Sequence, residues 1–151
     1  MEGDCLFMWD LGLVWDGRRA IEIINEFIDS LLDLSVNLKS VVVIGSRARG
    51  SWRRSSDIDL VMVFDDSDGL DKIIMAEHIG LIDPKPYTVE EAFRAIENAD
   101  TTMIEAFEYG VIVYDDGFWC RLRSRYEELL KGRVEIEYDE NGNILRISLI
   151  G

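Results

Sequence analysis

The segment Val41-Val-Val-Ile-Gly-Ser-Arg-Ala-Arg-Gly50, followed by Ser56-Asp-Ile-Asp-Leu60 and further apolar residues, constrains this chain more than any other feature. The β-branched run Val41 to Ile44 predicts a central strand buried on both faces. Gly45-Ser46 then turns the chain into a short helical stretch, and a second strand is expected from Asp57 to Phe64. Side chains alternate along a strand, so Asp57 and Asp59, two apart, project to the same side. Two acids held on one face repel each other and lose hydration, and a cation relieves both costs. Magnesium suits the role, since it takes hard oxygen ligands from one or two carboxylates plus substrate phosphates. Gly45-Ser46, at the turn into a helix, offers the complementary half: backbone N–H groups that can cradle a phosphate. A phosphate cradle beside a metal-binding acid pair points to nucleotide chemistry.

Gly45-Ser46 with Arg47-Ala-Arg-Gly50, and Ser56-Asp57-Ile-Asp59-Leu60 close behind, resembles the signature of the nucleotidyltransferase superfamily related to DNA polymerase beta. The compact length suggests its minimal nucleotidyltransferase branch. Asp83-Pro-Lys-Pro-Tyr-Thr-Val-Glu-Glu91 and Glu105-Ala-Phe-Glu-Tyr-Gly-Val-Ile-Val-Tyr114 are similar to segments that follow the acid pair in small archaeal-type members. One departure is Ile44, where the family often has an aromatic residue before the Gly-Ser. The resemblance implies that Asp57 and Asp59 hold two magnesium ions, with manganese as a substitute, while Gly45 and Ser46 bind a triphosphate. Ser56 and either Arg47 or Arg49 are the further candidates for nucleotide contact. Asp83 is the candidate third carboxylate, as metal ligand and base for the acceptor hydroxyl; its alternative reading is a turn-initiating acid before Pro84.

Charge narrows the partner class. A net charge of −14 would repel a nucleic-acid backbone, whose broad recognition needs a basic surface. The basic residues Arg47, Arg49, Arg53 and Arg54 nevertheless cluster between the cradle and the acid pair, a local patch that suits a small triphosphate better than a polymer. Arg53 and Arg54 are expected to be exposed. No apolar run approaches the roughly 20 residues that span a bilayer. Asp4 and Asp10 interrupt the apolar residues between Met1 and Trp15, so no secretory signal is expected there. Cys5 and Cys120 are too few for a disulfide framework or a zinc site. A soluble cytoplasmic protein is the expectation.

The chain, 151 residues long, suits one well-cored domain, with a motif core over about 41–114 and a C-terminal helix and hairpin over 118–150. Apolar spacing predicts a helix from Gly17 to Leu32 with Asp16 as its N-cap. A third strand is expected over Ile79 to Asp83, closed or pushed to an edge by Pro84. Thr88 with Glu91 forms a capping-box pattern for a helix to about Asn98, and a further helix from Thr101 meets Gly110 as a C-cap. Val111 to Tyr114 reads as a fourth strand and Phe118 to Lys131 as a helix. The alternation Val134, Ile136, Tyr138, then Asn141-Gly142, then Leu145, Ile147, Leu149 is a β-hairpin. The fold class is therefore α+β: a mixed sheet flanked by helices, covered mainly on one face, with a C-terminal hairpin extension. The hairpin's apolar face must meet either its own domain or a second copy in a homodimer.

Other residues carry less. His78 falls at the end of a short amphipathic helix, where a structural role is expected. Asp65, Asp66 and Asp68 suit turn chemistry better than a calcium loop. Of Trp9, Trp15, Trp52 and Trp119, Trp52 is nearest the motifs and the candidate for stacking a base. The functional expectation is a metal-dependent nucleotidyltransferase that moves a nucleoside monophosphate, AMP from ATP, to a small-molecule or protein hydroxyl and releases pyrophosphate. The resemblance implies an alternative: an antitoxin-type partner of a helical ribonuclease toxin, acting by binding or adenylylating it. A nucleotide-binding module without turnover is a third reading, against which an unneutralised acid pair would be a pure cost.

Overall fold

The computed structural model describes residues 10–76 and 81–150. Its elements run α1 (Ala20–Asp33), β1 (Leu38–Ile44), α2 (Ser46–Arg49), β2 (Ile58–Phe64), α3 (Asp68–Met75) and β3 (Ile82–Thr88). There follow α4 (Val89–Glu97), α5 (Thr101–Tyr109), β4 (Val111–Asp115), α6 (Trp119–Leu129), β5 (Val134–Tyr138) and β6 (Ile144–Leu149). Four strands form one mixed sheet in the order β3-β2-β1-β4, and β5 pairs with β6 in a separate hairpin. β1 is antiparallel to both β2 and β4, whereas β2 and β3 are parallel, joined by the crossover through α3.

Helices cover both faces of this sheet, which corrects the expectation of mainly one. Val41, Val43, Ile58, Leu60, Met62 and Phe64 pack toward α1 and Ile73 of α3. Val42, Ile44, Val61 and Val63 pack toward α4, α5 and α6. The physical reason is the continuous apolar run itself: a strand that is apolar at every position needs cover on both sides. Fully buried side chains such as Phe27 and Leu31 of α1 each contribute about 1.5–3 kcal/mol by leaving water.

Several local expectations change at element ends. α1 begins at Ala20, because Gly17 adopts φ 88°, outside helical geometry. Asp16 instead closes the preceding turn, accepting from the Arg18 N–H at 3.1 Å. The third strand lies over Ile82–Thr88, and Ile79 falls outside the described residues. Pro84 and Pro86 are tolerated because β3 is, among the described residues, a sheet edge with an unpaired side. The Thr88/Glu91 capping box is present, with reciprocal bonds of 3.0 and 2.9 Å. Gly110 follows α5 with φ −65°, so its use is not a left-handed cap. A Cβ there would sit 2.2 Å from the Ala106 carbonyl oxygen and 2.5 Å from Val42 Cγ1, so glycine is needed for close passage over the sheet.

The hairpin docks on its own domain through Val134 and Ile147, which pack against the cluster containing Trp119, Tyr126 and Leu130. Leu145, Leu149 and Ile150 stay 67%, 54% and 47% exposed, so docking uses only part of the apolar face. Among the described residues, no helix is long and apolar enough to cross a membrane.

Candidate active site

The site forms where the C-terminal end of β1 meets the N-terminal ends of β2 and β3. Ile44 is paired with Asp59, and Asp59 with Asp83, so the register alone brings the Gly-Ser turn beside two acids. Gly45 takes φ 77° and ψ −161°, a conformation open to glycine and strained for other residues. A Cβ at Gly45 would lie 2.4 Å from Asp59 Oδ2, so the carboxylate rests directly against the turn. Asp57 lies one residue before the start of β2 and is exposed; Asp59 is half-buried; Asp83 is exposed and ion-paired with Lys85 at 3.1 Å.

Asp59 carries the electrostatic signature of this crowding. Its carboxyl is pushed up to about 6, first by burial, with Asp83 and Asp57 adding repulsion and Lys85 opposing them. Hydrogen bonding with Asp83 further favours the protonated form. Asp57 acts more on its surroundings: it supports the charge of Arg47, whose guanidinium is otherwise lowered by burial. Among the described residues, no three His, Cys, Asp or Glu side chains converge closely enough to make a preformed metal cage. The chemistry of the donors still fits a hard cation, because crowded carboxylate oxygens are what magnesium accepts and a divalent charge would remove their repulsion.

The arginines divide differently from expectation. Arg47 is 1% exposed. Its guanidinium donates to the carbonyls of Leu11 at 3.0 Å, Leu13 at 3.1 Å, Arg53 at 3.3 Å and Ser56 at 2.9 Å. One of the two arginines expected near phosphate, it is instead the internal brace of the loop that connects cradle to acids, because its donors are spent on backbone carbonyls, the buried one of Leu11 among them. Arg49 pairs with Glu105 at 2.7 Å. Arg53 and Arg54 are exposed, as expected. Ser56 accepts from the Arg53 N–H at 2.8 Å through its hydroxyl, which closes the turn before Asp57. Trp52, expected as a base platform, lies beneath this loop: a Cβ on Gly12 would meet its ring at 2.2 Å, and Arg47 lies over its face at 5.8 Å.

Glu105 of α5 is the residue that sequence reasoning passed over. Its Oε2 accepts both the Gly45 N–H, at 2.7 Å, and Arg49 Nη1, at 2.7 Å. The N–H assigned to phosphate is thus held by a protein carboxylate, with an arginine balancing its charge. The signal was faint: Glu105 opens a segment quoted for its family likeness, and nothing local shows that it reaches back 60 residues to the cradle.

Beside the turn, Ser46, Ser51, Arg53 and Ser56 line a cleft of about 480 Å³ whose other wall is Asn141 and Asn143 of the hairpin. Away from it, Asp66 accepts from the Asp68 N–H at 3.0 Å and Asp65 from the Asn37 amide at 3.0 Å, so these acids serve a turn. Trp119 is core, stacked on Phe107 at 4.5 Å, and Trp15 is 68% exposed. His78, Trp9 and Cys5 lie outside the described residues.

The family model of the nucleotidyltransferase domain matches residues 24–113, more than half of the chain. No curated protein matches the sequence. Among solved structures, a protein of Sulfolobus solfataricus assigned as a nucleotidyltransferase is 23% identical, with a TM-score of 0.46, covering 64% of this chain and 80% of its own. A toxin-antitoxin structure with AMP-PNP is 19% identical, with a TM-score of 0.42, covering 70% and 87%. A mutant of the toxin-antitoxin MntA-HpeT is 16% identical, with a TM-score of 0.41, over the same shares.

Proposed function

Since this chain belongs to the nucleotidyltransferase domain family, we propose that it transfers a nucleoside monophosphate, AMP from ATP, to a hydroxyl acceptor. The acceptor oxygen forms a bond to the α-phosphorus, the bond from that phosphorus to the β-phosphate oxygen breaks, and pyrophosphate leaves. The observation that carries this reading is the seating of Asp59 against Gly45, with Asp83 beside it in register and Asp57 two residues before. Asp57, Asp59 and Asp83 would hold two magnesium ions, for which manganese can substitute. When bound, these would neutralise phosphate charge and polarise the attacking oxygen. Asp83, exposed at the sheet edge, takes the hydroxyl proton. Ser46 and the backbone of the turn orient the triphosphate, and the Arg47 brace keeps turn and acids in fixed relation.

The test is incubation with labelled ATP, GTP, CTP and UTP, magnesium and cell extract, followed by identification of whatever becomes labelled. Asp57→Asn and Asp59→Asn should each abolish labelling while the fold persists by circular dichroism. Retained labelling in both removes the acid pair from the reaction. Asp83→Asn should cut turnover more than nucleotide affinity; equal kinetics would pass the base role to another group.

A protein acceptor is the second reading, including the helical ribonuclease toxin of an antitoxin-type pair. The observation favouring it is the exposure of the apolar side chains Leu145, Leu149 and Ile150. Adenylylation of such a toxin, lost on Leu149→Asp with labelling of small molecules unchanged, would establish it. An unchanged rate would leave small molecules as the acceptor class.

A further inference from the structure

The cleft beside the Gly-Ser turn draws its two walls from parts of the chain about 90 residues apart, and the second wall, Asn141 and Asn143, lies beyond the stretch that matches the family model. We propose that the hairpin turn closes the triphosphate site, with Asn141, Asn143, Ser51 and Arg53 binding the terminal phosphate of the nucleotide. The inference rests on the nucleotidyltransfer reading and adds to it a phosphate-binding wall supplied by the C-terminal hairpin.

Lining chemistry selects the ligand. Hydroxyls of Ser46, Ser51 and Ser56, amides of Asn141 and Asn143, and the guanidinium of Arg53 surround the space. Among the described residues no apolar or aromatic side chain takes part, so none of them would stack a base or seat a hydrophobic acceptor there. Among the described residues the lining carries one positive charge and no negative one, in a chain of net charge −14, which makes the cleft a local refuge for an anion. Ser46 and Ser56 tie it to the cradle and to the acid pair on either side.

The hairpin is built to hold that wall still. Asp139 Oδ1 accepts from the backbone N–H of Asn141 at 2.9 Å and of Asn143 at 3.0 Å. The Asp139 N–H donates to the Asn143 carbonyl at 2.9 Å, and Gly142 supplies the φ of 83° that the turn requires. These bonds use backbone groups of residue 141, which leaves its side chain to the cleft; the Asn143 amide also leans on Asp139. Below the turn, Ile144 to Ile147 border a second space of about 360 Å³ together with Thr101, Thr102 and Glu105. The strand carrying the turn therefore runs beside the carboxylate that holds Gly45.

The experiment compares ATP, ADP and AMP binding, each with magnesium, by calorimetry on the full chain. Asn141→Ser and Asn141→Asp both preserve the turn, since Asp139 grips the backbone and not the side chain. Asn141→Ser combined with Arg53→Ala should weaken ATP about tenfold or more, a loss of about 1.4 kcal/mol, and leave AMP unchanged. Asn141→Asp should weaken ATP further by repulsion, in a salt-dependent way. Equal ATP affinity in these variants, with wild-type protein binding ATP, overturns the hairpin's role and leaves the nucleotidyltransfer reading standing. Absence of ATP binding by the wild-type protein overturns both.

Discussion

The loop from Ser46 to Ser56 and the hairpin turn from Asp139 to Asn143 face one cleft, yet they are held by opposite means. The loop is tied to the rest of the domain: Arg47 reaches four carbonyls, two of them in the segment before α1, and Glu105 grips the cradle from α5. The turn is tied mostly to itself through Asp139, and its strands reach the core through Val134 and Ile147. A brace that crosses the fold holds groups to the tolerance that bond-making requires. A self-contained turn can change residues without disturbing the core. The difference teaches that, on the proposed function, chemistry and ligand closure would be separable.

Substitutions can break that contrast, and the largest effect should come from the acids the loop positions. Asp59→Asn is expected to cut transfer on the order of a thousandfold, read as pyrophosphate release. Its effect on stability has the opposite sign. Asp59 titrates at about 6 in the fold against an ordinary 3.8, so its contribution is complete below about pH 4 and is lost as pH rises through 6. Metal-free wild-type protein should therefore lose thermal stability between about pH 4 and pH 6 relative to Asp59→Asn, and magnesium should narrow the gap. Parallel melting curves would show that the carboxylate is not crowded.

Arg47→Ala comes next. Removing a buried guanidinium takes the donor from the Leu11, Leu13 and Ser56 carbonyls, while that of Arg53 keeps the Ser56 N–H, at a cost of about 3 kcal/mol or more in urea unfolding. A loss below about 1 kcal/mol would mean the loop does not depend on its brace. Glu105→Ala should cost about 1–3 kcal/mol, since the Gly45 N–H and the partly buried Arg49 both lose an acceptor. At the hairpin, Leu145→Ser should stay within about 0.5 kcal/mol, because this side chain is 67% exposed. A larger loss that depends on protein concentration would reveal a second copy covering it.

Much of the fold was legible where one residue speaks to its neighbours in sequence. The apolar run 41–44 implied a central strand, Thr88 and Glu91 named their own capping box, and Asn141-Gly142 marked the hairpin. The nearness of the acids to the Gly-Ser turn was legible from motif spacing, with Asp59 on β2 and Asp57 one residue before it. Arg47 was misjudged for the reverse reason. An arginine beside a phosphate-type turn looks like an anion ligand until the segment at Leu11 and Leu13 folds back beneath it. Trp52 and Gly110 followed the same pattern: each reading changed once a distant backbone or ring came within van der Waals range.

Composition, periodicity and motif spacing thus settled, from the chain alone, an acidic α+β domain with a glycine-serine turn next to paired carboxylates. They could do so because dihedral preference, alternation and charge act over a few residues. Which groups those motifs touch was a matter for folding: Glu105 on the cradle, four carbonyls on Arg47, the hairpin opposite Ser46. These arrangements bring together residues up to 97 positions apart in the chain, Ser46 and Asn143 lining one cleft. Their partners are chosen by packing of the whole, which no local spacing encodes.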